Sequence, residues 1–253
     1  MIERGPFLIP EWDAPRQVEA WFTTRAGGVS TGPYASMNLG RHVGDDPANV
    51  AENRRLALLA VDATPVWLNQ VHGTHVAELT HASPLAPAPV ADASVTSDTT
   101  VVCNVLVADC LPVFFCDRDG TRVGVAHAGW RGLAAGVLEQ TLVAMKVPAH
   151  RLIAYLGPAI GPTAFEVGDD VRTAFMERDA GCGLAFAPKN GSPGKHLANL
   201  YELARRRLRA AGLHDISGGA LCTYTMPERF FSYRREKVSG RMGAFIRLRQ
   251  TGR

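Results

Sequence analysis

The sequence has few cysteines and no spacing that would pair them. Its 253 residues include five cysteines, an odd number, without a C-x-x-C or similar motif. Disulfide-dependent domains use even sets of cysteines, so this pattern argues against a disulfide framework and indicates a reducing compartment. The first twenty residues carry charges and prolines in place of an apolar signal segment, and no later run approaches the length of a membrane span. The sequence therefore predicts a cytoplasmic protein.

A strong excess of one charge is also missing. The formal net charge is +3, from 27 basic and 24 acidic residues, and most basic side chains are scattered or interleaved with acids. One tight cluster, Arg205-Arg206-Arg207 with Arg209, falls in an apparent amphipathic helix over 197–211. We interpret it as a solvated helix face rather than a nucleic-acid patch. The expected partners therefore include neither nucleic acid nor a membrane.

Short β-rich segments alternate with a few helical ones, which favours an α+β fold. Because 46% of the residues are hydrophobic, the chain can bury a sizeable core, and we predict a single domain over 1–253. Hairpin-length and helix-length connections both occur, which predicts mixed sheets rather than purely parallel ones. The predicted strands cover 65–70, 75–80, 101–107, 112–116, 122–126, 152–156, 230–235 and 243–248, and the predicted helices cover 48–61, 131–145, 169–178 and 197–211.

Three short motifs carry side chains suited to metal binding. They are centred on His72, Cys110 and His127, and each follows a β-rich segment, so the three side chains could project from strand ends on one rim. Two imidazoles and one thiolate suit Zn²⁺, and a site with three protein ligands keeps a fourth position open for water or substrate. The pattern predicts a catalytic zinc site, although the spacing alone does not establish it.

The His127 motif, His127-Ala128-Gly129-Trp130-Arg131-Gly132, also suggests an anion site. The two glycines permit close backbone approach, and the helix predicted to follow would present free N–H groups at its start. Arginine normally disfavours a helix start, so we predict that Arg131 contacts phosphate. The alternative is that Trp130 and Arg131 pack together and bridge a surface carboxylate.

The motifs together resemble those of a known family, the YfiH-like laccase-domain family, also called polyphenol oxidoreductases and described as purine nucleoside phosphorylases. The resemblance runs from about residue 20 to 248. The matching segments, in order, are Thr24-Arg25-x-Gly27-Gly28-Val29-Ser30, Ser36-Met37-Asn38-Leu39-Gly40, His42-Val43-Gly44-Asp45-Asp46-Pro47, Gln70-Val71-His72-Gly73, Ala108-Asp109-Cys110-x-Pro112, His127-Ala128-Gly129-Trp130-Arg131-Gly132, Gly157-Pro158-x-Ile160 and Phe230-Phe231-Ser232-Tyr233-Arg234-Arg235.

The resemblance implies a layered α/β/β/α fold with zinc at the positions of His72, Cys110 and His127. It also implies phosphorolysis of adenosine, inosine and S-methyl-5′-thioadenosine, and deamination of adenosine.

Three further residues, Asn38, Arg54 and Arg25, become candidate substrate contacts through the resemblance. Asn38 is also explained by its turn, and Arg54 by a surface position. The sequence departs from the family at Asn199, where an aspartate is common, and a role that needs a carboxylate there is in doubt.

Other function classes remain open at this stage. Cys110 could be the nucleophile of a metal-free cysteine hydrolase that edits peptidoglycan precursors, with His127 or His72 as its base. A copper-dependent phenol oxidase is less favoured, because such enzymes use many imidazoles, typically in His-x-His pairs, and none of the eight histidines here forms one. A non-catalytic zinc module would normally supply four protein ligands, and no fourth stands out.

Overall fold

The computed structural model describes residues 1–59 and 61–250 and shows a mixture of short strands and a few helices. Residues 60 and 251–253 lie outside the described residues. All four belong to the predicted domain, and residue 60 also belongs to the predicted helix over 48–61. In chain order the strands are β1 (Ile2–Arg4), β2 (Phe7–Ile9), β3 (Val18–Thr23), β4 (Thr64–Val66), β5 (Val76–Leu79), β6 (Ala93–Thr96), β7 (Val101–Val107), β8 (Leu111–Asp117), β9 (Val123–Ala128), β10 (Leu152–Leu156), β11 (Glu166–Gly168), β12 (Phe186–Pro188), β13 (Lys195–Ala198), β14 (Asp215–Gly218) and β15 (Met242–Leu248). The helices are α1 (Pro47–Leu56), α2 (Trp130–Ala135), α3 (Val137–Ala144), α4 (Asp169–Met176) and α5 (Leu200–Ala210).

Two six-stranded sheets form the centre of the fold. The first sheet has the order β1-β2-β3-β15-β7-β4, and the second has the order β14-β10-β8-β9-β6-β5. A third, three-stranded sheet has the order β11-β13-β12. Most neighbouring strands are antiparallel, whereas β4 with β7, β5 with β6 and β10 with β14 are parallel. The sheets are therefore mixed, as predicted.

Helices cover the outer faces of the two large sheets, and the inner faces pack against each other. Successive strand residues point to opposite faces, so Phe114 of β8 lies in the core between the sheets, while Phe115 faces the helices α2 to α5. On the first sheet, Trp21 and Phe245 point outward and pack with residues at the end of α1. This arrangement confirms the predicted α/β/β/α layers.

The sequence predicts one continuous helix over 131–145, and this prediction is wrong. The segment consists of two helices, α2 and α3, that meet at Gly136. Gly136 has φ of 110°, a left-handed conformation that ends α2 and that side chains other than glycine rarely adopt. The apolar residues on both sides of Gly136 follow one helical periodicity, so the sequence pattern does not show the break.

The predicted strand over 230–235 is also wrong, because this segment makes no sheet ladder. Phe230 and Phe231 are fully buried in the core between the sheets. The guanidinium of Arg235 donates hydrogen bonds to the backbone oxygens of Phe230, Thr223 and Tyr224. Side-chain donors therefore satisfy carbonyl groups that a strand would pair with a neighbour. Buried aromatic residues gave this loop the appearance of a strand.

The arginines of α5 do not form one solvated face. Arg207 is buried and pairs with Glu139, Arg206 pairs with Asp179, and Arg205 donates to the backbone oxygen of Gly218. Arg209 is exposed. Three of the four cations therefore contribute to packing of α5 against the rest of the fold, which corrects the expectation of a free basic face.

Asn199 caps α5. Its Oδ1 accepts a hydrogen bond from the backbone N–H of Glu202 at 3.1 Å. Asparagine and aspartate cap helices about equally well, so the cap itself does not require a carboxylate at this position.

Within residues 1–59 and 61–250, every helix is too short or too polar to span a bilayer.

Candidate functional site

The site lies where the connections of the two large sheets meet. Cys110 stands in the short crossing from β7 of the first sheet to β8 of the second, and His127 is the penultimate residue of β9. His72 lies in the loop between β4 and β5. The prediction that the three motifs would share one rim is consistent with this arrangement.

The loop that presents His72 has an unusual backbone conformation. His72 has φ of 60°, in the left-handed region, at a cost on the order of 1–3 kcal/mol for a residue other than glycine. The buried carboxylate of Asp92 accepts hydrogen bonds from three successive N–H groups, those of Val71, His72 and Gly73, at 3.1, 2.9 and 2.7 Å. Each such bond to a charged acceptor contributes about 1.5–3 kcal/mol. The three bonds together are sufficient to maintain the strained loop.

Cys110 is positioned by its neighbour Asp109. Asp109 also has a positive φ, 92°, and its carboxylate accepts hydrogen bonds from the hydroxyls of Thr223 and Ser232 at 2.6 and 3.0 Å and from the N–H of Arg234 at 2.7 Å. These contacts join the Cys110 segment to the loop that contains residues 230–235. The buried loop that resembles a strand in its sequence therefore supports the site.

His127 is buried and its ring is oriented by Asp92. The Nδ1 atom of His127 lies 2.8 Å from Oδ1 of Asp92, and the backbone N–H of His127 donates to the backbone oxygen of Asp92 at 2.7 Å. Because a carboxylate accepts the Nδ1 proton, Nε2 is left to act as the ligand. The His72 and His127 rings stand edge to face, with centroids 4.7 Å apart.

The three side chains form a group that can hold a metal ion. One donor atom from each of His72, Cys110 and His127 lies within 4.8 Å of the others, and Cys110 Sγ is 3.8 Å from His72 Nε2. Donor atoms around a tetrahedral zinc ion stand roughly 3.3–3.8 Å apart, given Zn–N and Zn–S distances of about 2.0–2.3 Å. The donor set therefore fits a divalent metal of the zinc type, and the separation of Cys110 from His72 lies at the upper end of the zinc range.

Cys110 and His127 shift each other's protonation in the absence of a metal. Burial alone would raise the pKa of Cys110, but the charge of His127 and hydrogen bonds from His127 and His72 outweigh it and lower that pKa to about 6. Burial alone would lower the pKa of His127, but Cys110 and Asp92 raise it to about 9. These opposite shifts favour the thiolate of Cys110 and the imidazolium of His127, and the thiolate is the form that binds metals.

A cavity of about 680 Å³ opens beside this group. Its wall combines the three ligand residues with aromatic side chains and with several cations. The cations, Arg41, Arg54 and Arg241, lie together with His42 on one part of the wall, and Trp67 and Tyr233 supply aromatic surface.

The structure brings some of the predicted substrate contacts to this cavity and leaves others outside its lining. Arg54 lines it, whereas Asn38 is fully buried, and its amide atoms bond to Gly40, Asp45 and the N–H of Arg241. Arg25 donates to the backbone oxygens of Ala35 and Pro227. Both Asn38 and Arg25 therefore support neighbouring loops, and direct contact with substrate stays a prediction for them.

Arg131 also lies outside the lining of the cavity. It is exposed, and its guanidinium stacks over the ring of Trp130 at 4.4 Å. The helix it belongs to, α2, has six residues. The expectation that Arg131 contacts phosphate stays a prediction, and the geometry matches the alternative of packing against Trp130.

Sequence reasoning missed Asp92, Arg41, Arg241 and Trp67. Asp92 gave a weak signal, because it is a single carboxylate at the start of an apolar strand and has no helix to cap. Arg241 and Trp67 gave none, since each is isolated among residues without an obvious chemical role. Only the fold brings Arg241 and Trp67 to the cavity that His72 also lines.

Comparisons with known proteins agree with this geometry. A family model described as multi-copper polyphenol oxidoreductase laccase matches residues 19–249. The chain is 52% identical over 243 residues to purine nucleoside phosphorylase YfiH of Escherichia coli, covering 95% of this chain and 98% of that protein. It is 50% identical over 242 residues to a purine nucleoside phosphorylase of Pseudomonas aeruginosa, covering 96% and 98% of the two chains.

Solved structures show the same fold. The crystal structure of a Neisseria meningitidis protein superposes with a TM-score of 0.92 at 49% identity, covering 96% of this chain and 99% of that chain. A hypothetical protein YfiH of Bacillus licheniformis superposes with a TM-score of 0.89 at 29% identity, covering 98% of each chain.

Proposed function

This chain belongs to the multi-copper polyphenol oxidoreductase laccase family, and we propose that it is a zinc-dependent enzyme that cleaves purine nucleosides with phosphate and also deaminates adenosine. The observation that carries the proposal is that His72, Cys110 and His127 open into a cavity with both aromatic and cationic walls. Relatives that are about half identical over nearly their full length bear the name purine nucleoside phosphorylase. The substrates proposed are adenosine, inosine and S-methyl-5′-thioadenosine.

The cavity has the size and chemistry that a nucleoside requires. Its volume of about 680 Å³ falls within the range of small-molecule sites, roughly 300–1,000 Å³. Tyr233 offers a ring surface on which a purine can stack, and Trp67 lines the same cavity with one ring face covered by Arg54. Arg41, Arg54 and Arg241 make another part of the wall cationic, which suits a phosphate co-substrate. A neutral nucleoside and an anion can therefore occupy different parts of the same cavity.

His72, Cys110 and His127 would hold the metal. Two imidazoles and a thiolate suit zinc better than they suit a multicopper centre, although copper remains the alternative that the family description suggests. When bound, zinc supplies Lewis acidity and makes water a usable nucleophile near neutral pH. Asp92 keeps a proton on Nδ1 of His127, so Nε2 of that ring faces the other two donors.

Phosphorolysis breaks the bond between C1′ of the ribose and N9 of the purine and forms a bond from C1′ to a phosphate oxygen. The purine leaves with the bonding electron pair and takes up a proton, so the products are the free base and ribose 1-phosphate. Deamination instead adds water at C6 of adenosine and releases ammonia, which gives inosine. The first reaction consumes phosphate, and the second does not.

A cysteine hydrolase that edits peptidoglycan precursors is the second candidate, because Cys110, His127 and Asp92 also resemble a Cys-His-Asp arrangement. Asp92 orients His127, and Cys110 carries a lowered pKa, as a nucleophile requires. The position of His72 Nε2 at 3.8 Å from the same sulfur argues for a ligand group instead, since a hydrolase needs one base beside its thiol.

Metal analysis of the purified protein, followed by metal removal and reconstitution, tests the proposal. We expect one zinc ion per chain, loss of adenosine and inosine turnover on chelation, and recovery with one equivalent of zinc. Oxidation of a phenol by the copper-loaded protein, without nucleoside turnover, would favour the phenol oxidase. Full turnover of a peptidoglycan precursor by the stripped protein would favour the hydrolase.

A further inference from the structure

Three arginines share one part of the cavity wall without an anionic partner. Arg41, Arg54 and Arg241 all line the cavity, and in residues 1–59 and 61–250 no carboxylate lies within ion-pair distance of any of them. Charged groups that are partly withdrawn from water normally have a counter-charge. A concentration of three unpaired cations in one concave wall therefore needs an explanation.

Arg54 is fixed with its outer nitrogens free. Its guanidinium stacks over the Trp67 ring at 3.6 Å, and Nε donates to the backbone oxygen of Leu39 at 2.9 Å. These two contacts immobilise the plane of the group. Within the described residues, Nη1 and Nη2 have no protein acceptor. Two parallel N–H donors in a fixed fork match the oxygens of a phosphate group.

Arg241 is also fixed by contacts with residues 38–40. Nη1 donates to the backbone oxygens of Ser239 and Gly240 at 2.9 and 3.0 Å, and the side-chain stem lies against Gly40. Its backbone N–H donates to Asn38 and its backbone oxygen accepts from Leu39. Nε and Nη2 remain available among the described residues. The loop 38–40 thus holds both arginines in place.

The electrostatics of the wall agree with an anion site. Burial and the charge of Arg41 lower the pKa of Arg54 to about 10, which is still well above neutral pH. Burial lowers the pKa of Arg241, and the charges of Cys110 and Asp109 oppose that shift. His42 lies close enough that burial, and then the charges of Arg241 and Arg54, lower its pKa. Because none of the three arginines forms an ion pair with a carboxylate within residues 1–59 and 61–250, the wall carries net positive charge.

We propose that Arg54 and Arg241, with Arg41 at the exposed rim, form the subsite that binds the inorganic phosphate co-substrate. The inference rests on the proposed function for the identity of the anion. It locates phosphate in the same cavity as the ligand group and the aromatic wall, whereas Arg131 lies outside the cavity lining. Arg241 lies near the aromatic wall as well, since its guanidinium carbon is 5.6 Å from the centroid of the Tyr233 ring. Bound phosphate would then lie beside a nucleoside stacked on the aromatic wall.

The test is a calorimetric titration of zinc-loaded protein with inorganic phosphate, for the wild type and for Arg54→Lys, Arg241→Lys and Arg41→Gln. Lysine keeps the charge but loses the planar fork. We expect the phosphate Kd to rise about 10- to 100-fold in each lysine variant, the range for one lost charge-assisted hydrogen bond. The expected rise is smaller in Arg41→Gln, which acts at an exposed position and carries little risk to folding. Arg209→Lys, on the exposed side of α5, is the matched control.

The variants must keep their zinc content and melting temperature, which separates loss of the subsite from loss of the fold. Arg131→Lys is titrated in the same way. Unchanged phosphate Kd in all three cavity variants, or a rise confined to Arg131→Lys, overturns the proposal. A 5′-phosphate on the substrate is the other source of the same anion. If inosine 5′-monophosphate binds more weakly to the variants while inorganic phosphate does not, the co-substrate assignment is wrong.

The phosphate dependence of inosine cleavage distinguishes this inference from the proposed function. If the variants bind phosphate more weakly but the wild type does not cleave inosine, the phosphate subsite is supported and the proposed phosphorylase function is overturned. Phosphate-dependent cleavage with the same phosphate KM in the wild type and all three variants supports the function and overturns the subsite.

Discussion

Asp92 and His127 are joined by a hydrogen bond of 2.8 Å between a buried carboxylate and a buried imidazole. The same carboxylate accepts three backbone N–H bonds from the loop that carries His72. Although burial raises its pKa, the bonds from His127 and from the backbone outweigh that effect, and the pKa of Asp92 is lowered. One residue therefore positions two of the three proposed metal ligands.

Replacing this carboxylate should weaken metal binding without removing a ligand. Asp92→Asn keeps the size of the side chain, but its NH₂ group faces N–H donors and cannot accept from them. We expect zinc affinity to fall about 10- to 100-fold, measured by competition with a chromogenic chelator. The exposed pair of Asp119 with Arg151 supplies the control, since Asp119→Asn should leave zinc affinity unchanged. Wild-type affinity in Asp92→Asn would show that the carboxylate does not position the ligands.

Changing Cys110 separates a ligand from a nucleophile. Cys110→Ser should lose zinc and nucleoside turnover together if the thiolate binds the metal, with both measured on the same preparation. Retained stoichiometric zinc with no turnover would contradict the ligand role and favour the cysteine hydrolase. A stable covalent substrate adduct on Cys110 in the wild type would favour it further.

The protonation of Cys110 predicts how it reacts once the metal is removed. Because its pKa is lowered to about 6, the thiolate forms as pH rises through 6, and the rate of alkylation should level off above pH 7. Cys103 and Cys116, whose pKa values burial raises to about 12, should stay unmodified and serve as internal controls. Iodoacetamide labelling with peptide mass mapping measures this; a rate at Cys110 that still climbs from pH 8 to 9 would show an ordinary thiol.

Gly129 lies so close to the ligand group that a methyl group would displace it. A Cβ there would lie 2.7 Å from His72 Cδ2 and 3.0 Å from Cys110 Sγ. Gly129→Ala should therefore lower zinc affinity and turnover while the protein stays folded. At Gly183 an added Cβ meets nothing closer than 3.6 Å, so Gly183→Ala is the control. Equal zinc affinity in the two variants would contradict this close packing of Gly129 against the ligands.

The α+β fold with mixed sheets and the three candidate ligand residues were predictable from local patterns, whereas the layered α/β/β/α arrangement was implied by the family resemblance. Apolar runs such as 101–107 mark buried strands, and His72, Cys110 and His127 each stand in a distinctive motif. The break at Gly136 and the loop around Phe230 were not predictable, since the first depends on one backbone angle and the second on distant side-chain donors. In both cases tertiary contacts override a local periodicity.

The cationic wall was predictable only in part. Arg54 was a candidate through the family resemblance, whereas Arg241 is far away in sequence and reaches the site through the pairing of β15 with β7. Asp92 likewise reaches His127 through the pairing of β6 with β9. Long-range sheet register determines these contacts, and a single sequence does not display it.

The most direct test of the account is product analysis of inosine cleavage by the zinc-loaded protein, with phosphorus NMR to follow the phosphate. The account predicts that ribose 1-phosphate and hypoxanthine form in equal amounts, that neither forms without phosphate, and that both disappear when the metal is removed. Release of hypoxanthine with free ribose, at a rate independent of phosphate, would contradict it.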